Sequence, residues 1–427
     1  MTFYFSLFIS ILPYFSIQNI FTNRRFLISE DCDLKSFEFV TTEQDDFINS
    51  HGNFGSLRMS CFAHSLQLTI RDGLQKVPHI SRVLGKCETL AQFSHRSSKI
   101  ADVLDQLNKH IQKATATRWS SEFMLIKSIL SFGKDDLETV ANQMDDPVRF
   151  SSTDLTIMEE IVDILEPFYQ ISVKCQAEKV VTISLVVPSV VHLINHLRSI
   201  EENLSLCNKL VEQLQSSIKR RFEGIVNRLH LENVQDNTPF NDPLYFMTTL
   251  LDPTFKFYWI HDLQLPANVE NRLKQTIIQL ILDDISKDSK SSSMVSHKLA
   301  DPINPSSSTL SNSLSSILKV KKRKLFVYDE YHCNNSSSPG LASLGPSVEL
   351  EAYLSDPVRS NFSDYWLRSQ LNALKKLVVR IFSVQASSAP VERVFSHAGI
   401  ILSSRRMRMN EQLFMDLVFL KVNQRLL

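Results

Sequence analysis

Residues 386–399 read Ala386-Ser-Ser-Ala-Pro-Val-Glu-Arg-Val-Phe-Ser-His-Ala-Gly399, and they carry the strongest structural signal in the chain. Ser388 is a suitable N-cap, and Pro390 belongs in the first turn of a helix. Glu392 then lies near the helix N-terminus, where the helix dipole favours a carboxylate. The stretch therefore predicts a helix start, at which Glu392 is either a stabilising first-turn residue or a residue with a chemical role.

The residues that lead into this stretch are also patterned. Glu349-Leu-Glu-Ala-Tyr-Leu354 and Asp364-Tyr-Trp366 come first. They are followed by an apolar stripe at helical spacing, formed by Leu371, Leu374, Leu377, Val378 and Ile381. This spacing predicts a helix with one buried face.

Composition excludes several classes of enzyme and favours helix. The chain has 427 residues, 46 Lys and Arg against 46 Asp and Glu, and only nine glycines, where average usage would give roughly thirty. The nucleotide-binding loop motifs G-x-G-x-x-G and G-x-x-x-x-G-K-[ST] do not occur. Zero net charge argues against a uniformly basic nucleic-acid binder, though not against a local basic patch. Because few glycines mean few tight hairpins, we predict that helix dominates the fold.

The periodicity of apolar residues places these elements along the chain. Residues 37–42 and parts of 59–70 alternate and are rich in β-formers, so they are the best strand candidates. Helical spacing of apolar residues predicts helices over 155–168, 183–197, 204–229 and 268–285. The first of these follows Ser151, a suitable cap.

Five further blocks accompany the 386–399 stretch. In chain order they are Cys61-Phe-Ala-His64-Ser-Leu-Gln-Leu68, Thr117-Arg118-Trp119, Glu166-Pro-Phe-Tyr169, Thr182-Ile-Ser-Leu-Val-Val-Pro188 and Leu251-Asp-Pro-Thr-Phe-Lys256. Together, and in this order, the six blocks resemble the hAT superfamily of transposases and the BED-finger regulatory proteins derived from it. The resemblance implies a mainly α fold with a small α/β part. This part would be a partial RNase H-like core, interrupted by a large all-helical insertion, with Cys61–Leu68 as a strand.

The resemblance also implies roles for individual residues. In the family, three carboxylates bind two divalent metals at a scissile phosphate, and Glu392 matches the third of them. Arg118 and Trp119 match residues that handle a flipped base, and His64 matches a histidine near the cleaved strand. For Trp119 the alternative is a buried aromatic residue at a helix start.

The sequence departs from the enzyme upstream of Cys61. The family's first two aspartates lie there, but Val40-Thr-Thr-Glu43 has a glutamate where aspartate is expected. We therefore predict a catalytically inactive, N-terminally truncated derivative in which Glu392 is vestigial. No cofactor is expected, and Mg²⁺ or Mn²⁺ would be needed only if the chain were an active transposase.

Cysteine and histidine usage predicts no other metal site. The six cysteines contain no C-x-x-C pair, so a complete zinc finger is absent from the sequence. His192 and His196 share one helical face but lack a third ligand at suitable spacing.

Self-association is what the resemblance implies for the C-terminal region. Residues 349–427 carry more apolar surface than about eighty residues usually bury alone, which fits this role. The expected dimerisation residues are Trp366, Leu371, Leu374, Phe395, Leu417 and Leu420. The expected partner is a second copy or a related hAT-type protein, with the division between core and interface left open.

Basic residues predict a nuclear location and DNA contacts. Five of the six residues at 319–324 are basic, namely Lys319, Lys321, Lys322, Arg323 and Lys324. This run is either a nuclear-import signal or a solvated charge cluster. The residues expected to bind DNA are His64, Arg118, Trp119, Arg393, Arg405, Arg406 and Arg408. Among them, the four arginines from Arg393 onward are expected to contact phosphates, together with the basic run at 319–324.

These observations divide the chain into five parts. Residues 1–23 form an uncharged apolar segment, which is a targeting or anchoring segment or is foreign to the domain behind it. The other parts are a core remnant at 24–74, a helical insertion at 75–285, a Ser-rich linker with the basic run at 286–348, and the dimerisation region at 349–427. We expect no other segment to span a bilayer.

Three functions are consistent with this sequence. The first is a transposase-derived nuclear protein without catalysis, which self-associates and binds DNA in transcriptional regulation. The second is an active DNA transposase with a metal-dependent carboxylate site. The third is a transposase fragment without a stable fold, because a sheet that lacks its first strands leaves an unpaired edge.

Overall fold

A computed structural model describes residues 59–115, 119–178, 180–233, 235, 237–292, 345–402 and 409–423, and within these ranges the chain forms helices and no strand. The α-helices are α1 Phe62–Gln75, α2 Pro78–Ser94, α3 Ser98–Gln106, α4 Trp119–Leu130, α5 Lys134–Ala141, α6 Ser152–Cys175, α7 Val186–Ile200, α8 Asn208–Arg221, α9 Glu223–Leu229, α10 Leu244–Leu251, α11 Ala267–Ser292, α12 Pro346–Ser355, α13 Phe362–Arg368, α14 Asn372–Ile381, α15 Ala389–Ile401 and α16 Glu411–Asn423. Short 3₁₀ turns cover Ile183–Leu185, Glu201–Asn203 and Tyr258–Leu263. The mainly α prediction is confirmed.

The first helix corrects the strand prediction for 59–70. Phe62, Leu66 and Ile70 are fully buried and lie four residues apart, which is the spacing of one helical face. The alternation that favours a strand in this block is local, whereas the buried face follows the helical period. The predicted strand at 37–42 lies outside the described residues, so the RNase H-like core stays a prediction.

The start of α6 shows how local sequence sets a helix boundary. The Ser151 hydroxyl accepts from the Asp154 N–H at 3.1 Å, and the Asp154 carboxylate accepts from the Ser151 N–H at 3.0 Å. This reciprocal pair is a capping box. Asp154 is buried and also binds Lys86 at 2.7 Å, which ties α6 to α2. The helix predicted over 155–168 is confirmed within α6.

The single helix predicted over 204–229 is instead two helices. The helix is interrupted at Phe222, whose φ of −115° and ψ of 30° lie outside the helical region. Directly after the break, the Gly224 N–H donates to the Pro239 carbonyl at 2.9 Å. The contact requires close approach of two backbones, which periodicity does not reveal.

Two other expectations need adjustment. The helix α11 continues to Ser292, past residue 285, where composition predicts the linker to begin. Among the described residues, Ile183–Asn203 forms a run long and apolar enough to cross a membrane by length and composition. Just over half of its most apolar stretch is buried inside the structure, and core helices of soluble proteins share this length and composition. The expectation that only residues 1–23 could span a bilayer is too narrow by this criterion.

The apolar core divides the C-terminal region in two. One core extends from Phe62 in α1 to Ala386, and it includes the buried faces of α12, α13 and α14. The last two helices form a separate small cluster around Ala398, Phe414 and Val418. Thus α12–α14 are part of the main helical body, while α15 and α16 pack chiefly against each other.

Candidate functional site

The stretch at 386–399 packs against the beginning of α1. The Phe62 N–H donates to the Ala386 carbonyl at 2.8 Å. The Ser388 hydroxyl lies 3.3 Å from the Cys61 Sγ. Two blocks more than three hundred residues apart therefore meet at the N-termini of α1 and α15, and we call this contact the junction.

A third block joins the junction through Thr182. Its hydroxyl donates to the Gln385 Oε1 at 2.6 Å and accepts from the Ala386 N–H at 3.0 Å. Thr182 is completely buried. Because a buried hydroxyl with both functions satisfied is costly to remove, Thr182 fixes the backbone that leads into α15.

Glu392 and His64 interact electrostatically across the junction. Glu392 is exposed on the first turn of α15, where its carboxylate accepts a hydrogen bond from the Ser388 hydroxyl. Burial lowers the pKa of the half-buried His64 imidazole, and Glu392 partly opposes this effect. The positive charges of Arg221 and Arg71 lower the pKa of His64 further. The imidazole is therefore neutral at pH 7.

Asp72 binds two arginines beside the junction, Arg220 and Arg221. Asp72 accepts from Arg221 at 2.8 Å and from the Ser217 hydroxyl at 2.7 Å, and it also binds Arg220. Burial opposes the charge of Asp72, but the Ser217 and Arg221 hydrogen bonds outweigh it and hold the pKa of this carboxyl below its usual value. Arg220 keeps more than half of its side chain exposed.

Trp119 is buried in the core at the start of a helix, which is the alternative to a base-stacking role. It is the first residue of α4 and only 5% exposed, with its ring 6.0 Å from Phe123 and 6.3 Å from Tyr169. The indole therefore offers no free face to a flipped base in this structure, and the stacking role of Trp119 stays a prediction. Lys127 binds Glu166 at 2.8 Å beside this cluster. The Trp119 and Glu166–Tyr169 blocks thus contact each other.

The structure separates the predicted dimerisation residues into two groups. Trp366 and Leu374 are buried in the main core, and Leu371 packs partly buried against it. The surface of Trp366 and Leu374 is thus used within the chain, and their place in an interface stays a prediction. Phe395 is 37% exposed and Leu420 is 46% exposed. These two residues, with the half-buried Leu417, lie on α15 and α16.

Of the predicted phosphate-binding arginines, the structure describes Arg393. Its guanidinium pairs with Glu178 and donates to the Gln176 carbonyl at 2.8 Å, so it links α15 to the end of α6. The other predicted basic residues, Arg118, Arg405, Arg406, Arg408, Lys319, Lys321, Lys322, Arg323 and Lys324, lie outside the described residues.

The two histidines of α7 have a structural explanation. Pro167 inside α6 has no N–H for the carbonyl of Asp163. The His196 imidazole interacts with this carbonyl and lies 3.1 Å from that of Ile164. Burial lowers the pKa of His192 to about 4. Within the described ranges, no group of three or more His, Cys, Asp or Glu residues could hold a metal ion.

A buried polar network in the Leu251–Lys256 block was not assigned a role from sequence. The Ser184 hydroxyl donates to Asp252 at 2.6 Å, and burial raises the pKa of this carboxyl. Lys256 is 3% exposed, and its ammonium group donates to the Tyr353 carbonyl at 2.8 Å. In the sequence, this network is indicated by an Asp and a Lys within an otherwise apolar block, since charged residues are rarely buried without partners.

The described residues thus connect four of the six sequence blocks with one another, those at 61–68, 182–188, 251–256 and 386–399. The other two blocks contact each other, because Trp119 packs against Tyr169. Two family models match the same regions. Residues 59–164 match the ZBED1 RNase-like helical domain, and residues 349–423 match the hAT family C-terminal dimerisation region. These two regions are therefore related to transposases of the hAT family.

Two curated proteins are similar to this chain in sequence. Zinc finger BED domain-containing protein 4 of Homo sapiens is 23% identical over 389 residues, which cover 86% of this chain and 29% of that protein. The Transposable element Hobo transposase of Drosophila melanogaster is 23% identical over 166 residues, which cover 39% of this chain and 24% of that protein. The matched residues therefore span less than a third of the length of either relative.

Proposed function

We propose that this hAT-derived chain is a nuclear protein that self-associates through α15 and α16 and does not cleave DNA. One observation carries the proposal: the two helices expose large apolar side chains while packing chiefly against each other. These side chains are Val391, Phe395, Ile400, Leu413 and Leu420, with exposed fractions of 42%, 37%, 70%, 51% and 46%. An apolar surface shared by two adjacent helices is typical of a protein interface.

The match of 349–423 to the dimerisation region supports the same surface. Because α12–α14 belong to the main core, the part of this region that remains for a partner is α15 with α16. A second copy would place the same two helices opposite each other, as in a two-fold symmetric interface.

Sedimentation of the full chain tests self-association. We expect dimers at micromolar concentration, and we expect Phe395→Asp and Leu420→Asp to shift the chain to monomer, because each places a charge in an apolar contact. Leu367→Asp on α13 is the matched control, since Leu367 is 78% exposed but lies on another helix. A wild-type monomer at tens of micromolar, or equal weakening by the control, would overturn the proposal.

The absence of catalysis is supported by the surroundings of Glu392. This carboxylate is engaged with Ser388 in the first turn of α15. A two-metal mechanism requires several carboxylates at one place. The test is strand cleavage with Mg²⁺ or Mn²⁺ by the purified full chain. Cleavage that disappears in Glu392→Ala would favour the alternative of an active transposase.

Nuclear import and DNA binding rest on the basic residues. We expect a fluorescent fusion of the full chain to accumulate in nuclei, and we expect it to lose this accumulation when Lys321, Lys322, Arg323 and Lys324 become alanine. DNA binding would depend steeply on salt, since it would use phosphate contacts. A cytoplasmic wild-type fusion would refute nuclear import, and affinity that is insensitive to salt would refute phosphate contacts.

The alternative of an unfolded fragment makes the opposite prediction. The continuous core from Phe62 to Ala386 supports cooperative unfolding of the full chain. A gradual, non-cooperative loss of helical circular dichroism on heating would favour the fragment alternative.

A further inference from the structure

Basic residues are concentrated in the segment that contains α14. No acidic residue occurs between Asp364 and Glu392. The same segment carries four basic residues, which are Arg368, Lys375, Lys376 and Arg380. Because the whole chain has no net charge, this segment is a local positive region of the C-terminal part.

An open groove lies along the outer face of α14. The described residues that line it are Asn372, Lys375, Lys376 and Val379. They recur at intervals of three and four residues or lie side by side, so they share one face of the helix. The groove has a volume of about 550 Å³. Its length along the helix is about 10 Å, since each residue advances about 1.5 Å. This size suits a short peptide segment, and we call the feature the basic groove.

Exposed aliphatic side chains accompany the lysines of the basic groove. Val379 is 64% exposed within the groove, and Leu367 of α13 is 78% exposed. The Lys375 ammonium lies 3.3 Å from the Leu367 carbonyl oxygen, so the end of α13 borders the groove. Covering such side chains with apolar groups of a partner is favourable, because it removes apolar surface from water. The basic groove therefore offers both positive charge and apolar contact.

The basic residues of α14 differ in their present partners. Arg380 pairs with Asp284 of α11, so a carboxylate from a neighbouring helix already binds this helix. The Lys375 ammonium lies 3.3 and 3.5 Å from two backbone carbonyls near the end of α13, and neutral groups leave its charge uncompensated. Lys376 is exposed, and no carboxylate of the described residues pairs with it. The two lysines therefore remain for the carboxylates of a partner.

The main core holds α14 in place. The buried Glu349 carboxylate accepts the N–H groups of Ala373 and Leu374 at 2.8 and 3.1 Å, which caps the start of the helix. The inner face, which includes Leu377 and Val378, is buried in the core. A helix that is fixed on one face presents its outer side chains at defined positions. Such a surface is preorganised, which reduces the entropy lost on binding.

We propose that the basic groove binds an acidic peptide segment of another protein. Carboxylates of this segment contact Lys375 and Lys376, and an aliphatic or aromatic side chain covers Val379. Charge complementarity selects an acidic occupant. The exposed Val379 favours a peptide over a nucleic acid, because a phosphate backbone has no apolar group to cover a valine. The groove lies on α14, so this binding is distinct from self-association through α15 and α16 and does not depend on it.

The experiment measures the fluorescence anisotropy of a labelled synthetic peptide in the presence of the full chain. The probe repeats the unit Glu-Glu-Leu-Leu, and its matched control has glutamine in place of every glutamate. We expect the glutamate peptide to bind at micromolar concentration and the glutamine peptide to bind about tenfold more weakly. Added salt should weaken the glutamate peptide, because salt screens exposed charges. Labelled oligothymidylate of similar length tests whether the groove prefers a nucleic acid.

Variants of the full chain locate the binding to the basic groove. Lys376→Glu and Val379→Asp should each raise the dissociation constant of the glutamate peptide about tenfold. The matched controls are Lys219→Glu on α8 and Val173→Asp on α6, which change exposed residues of the same types and should have little effect. Phe395→Asp should bind the probe as wild type does, because α15 is not part of the groove. Circular dichroism verifies that each variant is folded.

A reversal of charge on both partners completes the test. A probe with lysine in place of every glutamate should bind Lys376→Glu more tightly than it binds wild type. The proposal is overturned if the glutamate peptide does not bind, if the glutamine peptide binds equally well, or if the control variants lose as much affinity as the groove variants. Tighter binding of oligothymidylate than of the glutamate peptide, lost in Lys376→Glu, would also overturn it.

Discussion

Replacing Gly224 with alanine tests the backbone contact that divides α8 from α9. A Cβ at this position would lie 2.6 Å from the Asn241 Cα and N, and 2.7 Å from the Phe240 carbonyl carbon. These are backbone atoms, which cannot rotate away as a side chain can. Ordinary carbon–carbon contacts are about 3.5–4 Å, so the segment around Phe240 must move by about 1 Å.

The movement reaches the start of α1 through aromatic packing. Phe240 lies 4.9 Å from Phe222 and 6.2 Å from Phe62, measured between ring centroids. Overpacking of this kind costs about 1–3 kcal/mol, and weakening of the hydrogen bond from Gly224 to Pro239 adds about 1 kcal/mol. The higher helix propensity of alanine returns at most about 1 kcal/mol. We expect Gly224→Ala to lower the free energy of unfolding by about 1–3 kcal/mol.

The assay is urea unfolding of the full chain, followed by circular dichroism at one fixed protein concentration, since self-association would shift the midpoint. Gly85→Ala is the matched control, because its Cβ meets no atom within 4 Å inside α2. There the substitution should stabilise by about 0.5–1 kcal/mol. A Gly224→Ala midpoint equal to or above that of wild type would refute the reasoning.

Three further predictions concern buried groups. Glu160→Gln should destabilise by about 1–3 kcal/mol, because both carboxylate oxygens accept backbone N–H groups at the start of α8, whereas the exposed Glu159→Gln should have little effect. Asp154→Asn should destabilise at pH 7. Burial opposes the charge of Asp154, but the Lys86 and Ser151 hydrogen bonds hold its pKa below 3.8, so the difference from wild type in urea unfolding should shrink as the pH falls below about 4. Burial raises the pKa of the Cys87 and Cys207 thiols to about 12, so mass spectrometry should find both unreactive towards maleimide until the chain unfolds.

Sequence patterns predicted the helices whose signals are local. The capping residues Ser151 and Asp154 and the apolar stripe behind them lie within one helix, so periodicity and capping rules were sufficient for α6. The same rules were wrong for Phe62–Ile70, where alternation over a few residues favoured a strand. The buried face of α1 is defined by its contact with α8, and a local pattern does not contain this information.

The candidate site was predictable only in part, because its contacts join distant positions. Glu392 was placed correctly at a helix start from Ser388 and Pro390, but no spacing rule pairs Cys61 with Ser388. The same reason explains why the sequence does not separate Trp366, which is buried in the main core, from the residues of an interface. The sequence does not distinguish an apolar residue that packs within its own chain from one that contacts a partner.

Hydrogen bonds distinguish those two cases in the C-terminal region. The buried Trp366 indole finds the Leu251 carbonyl of the same chain, and the buried Tyr353 hydroxyl finds that of Leu250. When tyrosine and tryptophan side chains are buried, their O–H and N–H groups need hydrogen-bond acceptors. The position of the acceptor therefore identifies the surface against which such a side chain packs. Leu413 and Leu420 have no polar atom in their side chains to satisfy, and they remain half exposed. The region therefore has two surfaces with different chemistry: a polar, directional one that fits the helical body, and an apolar one on α15 and α16 that fits a partner.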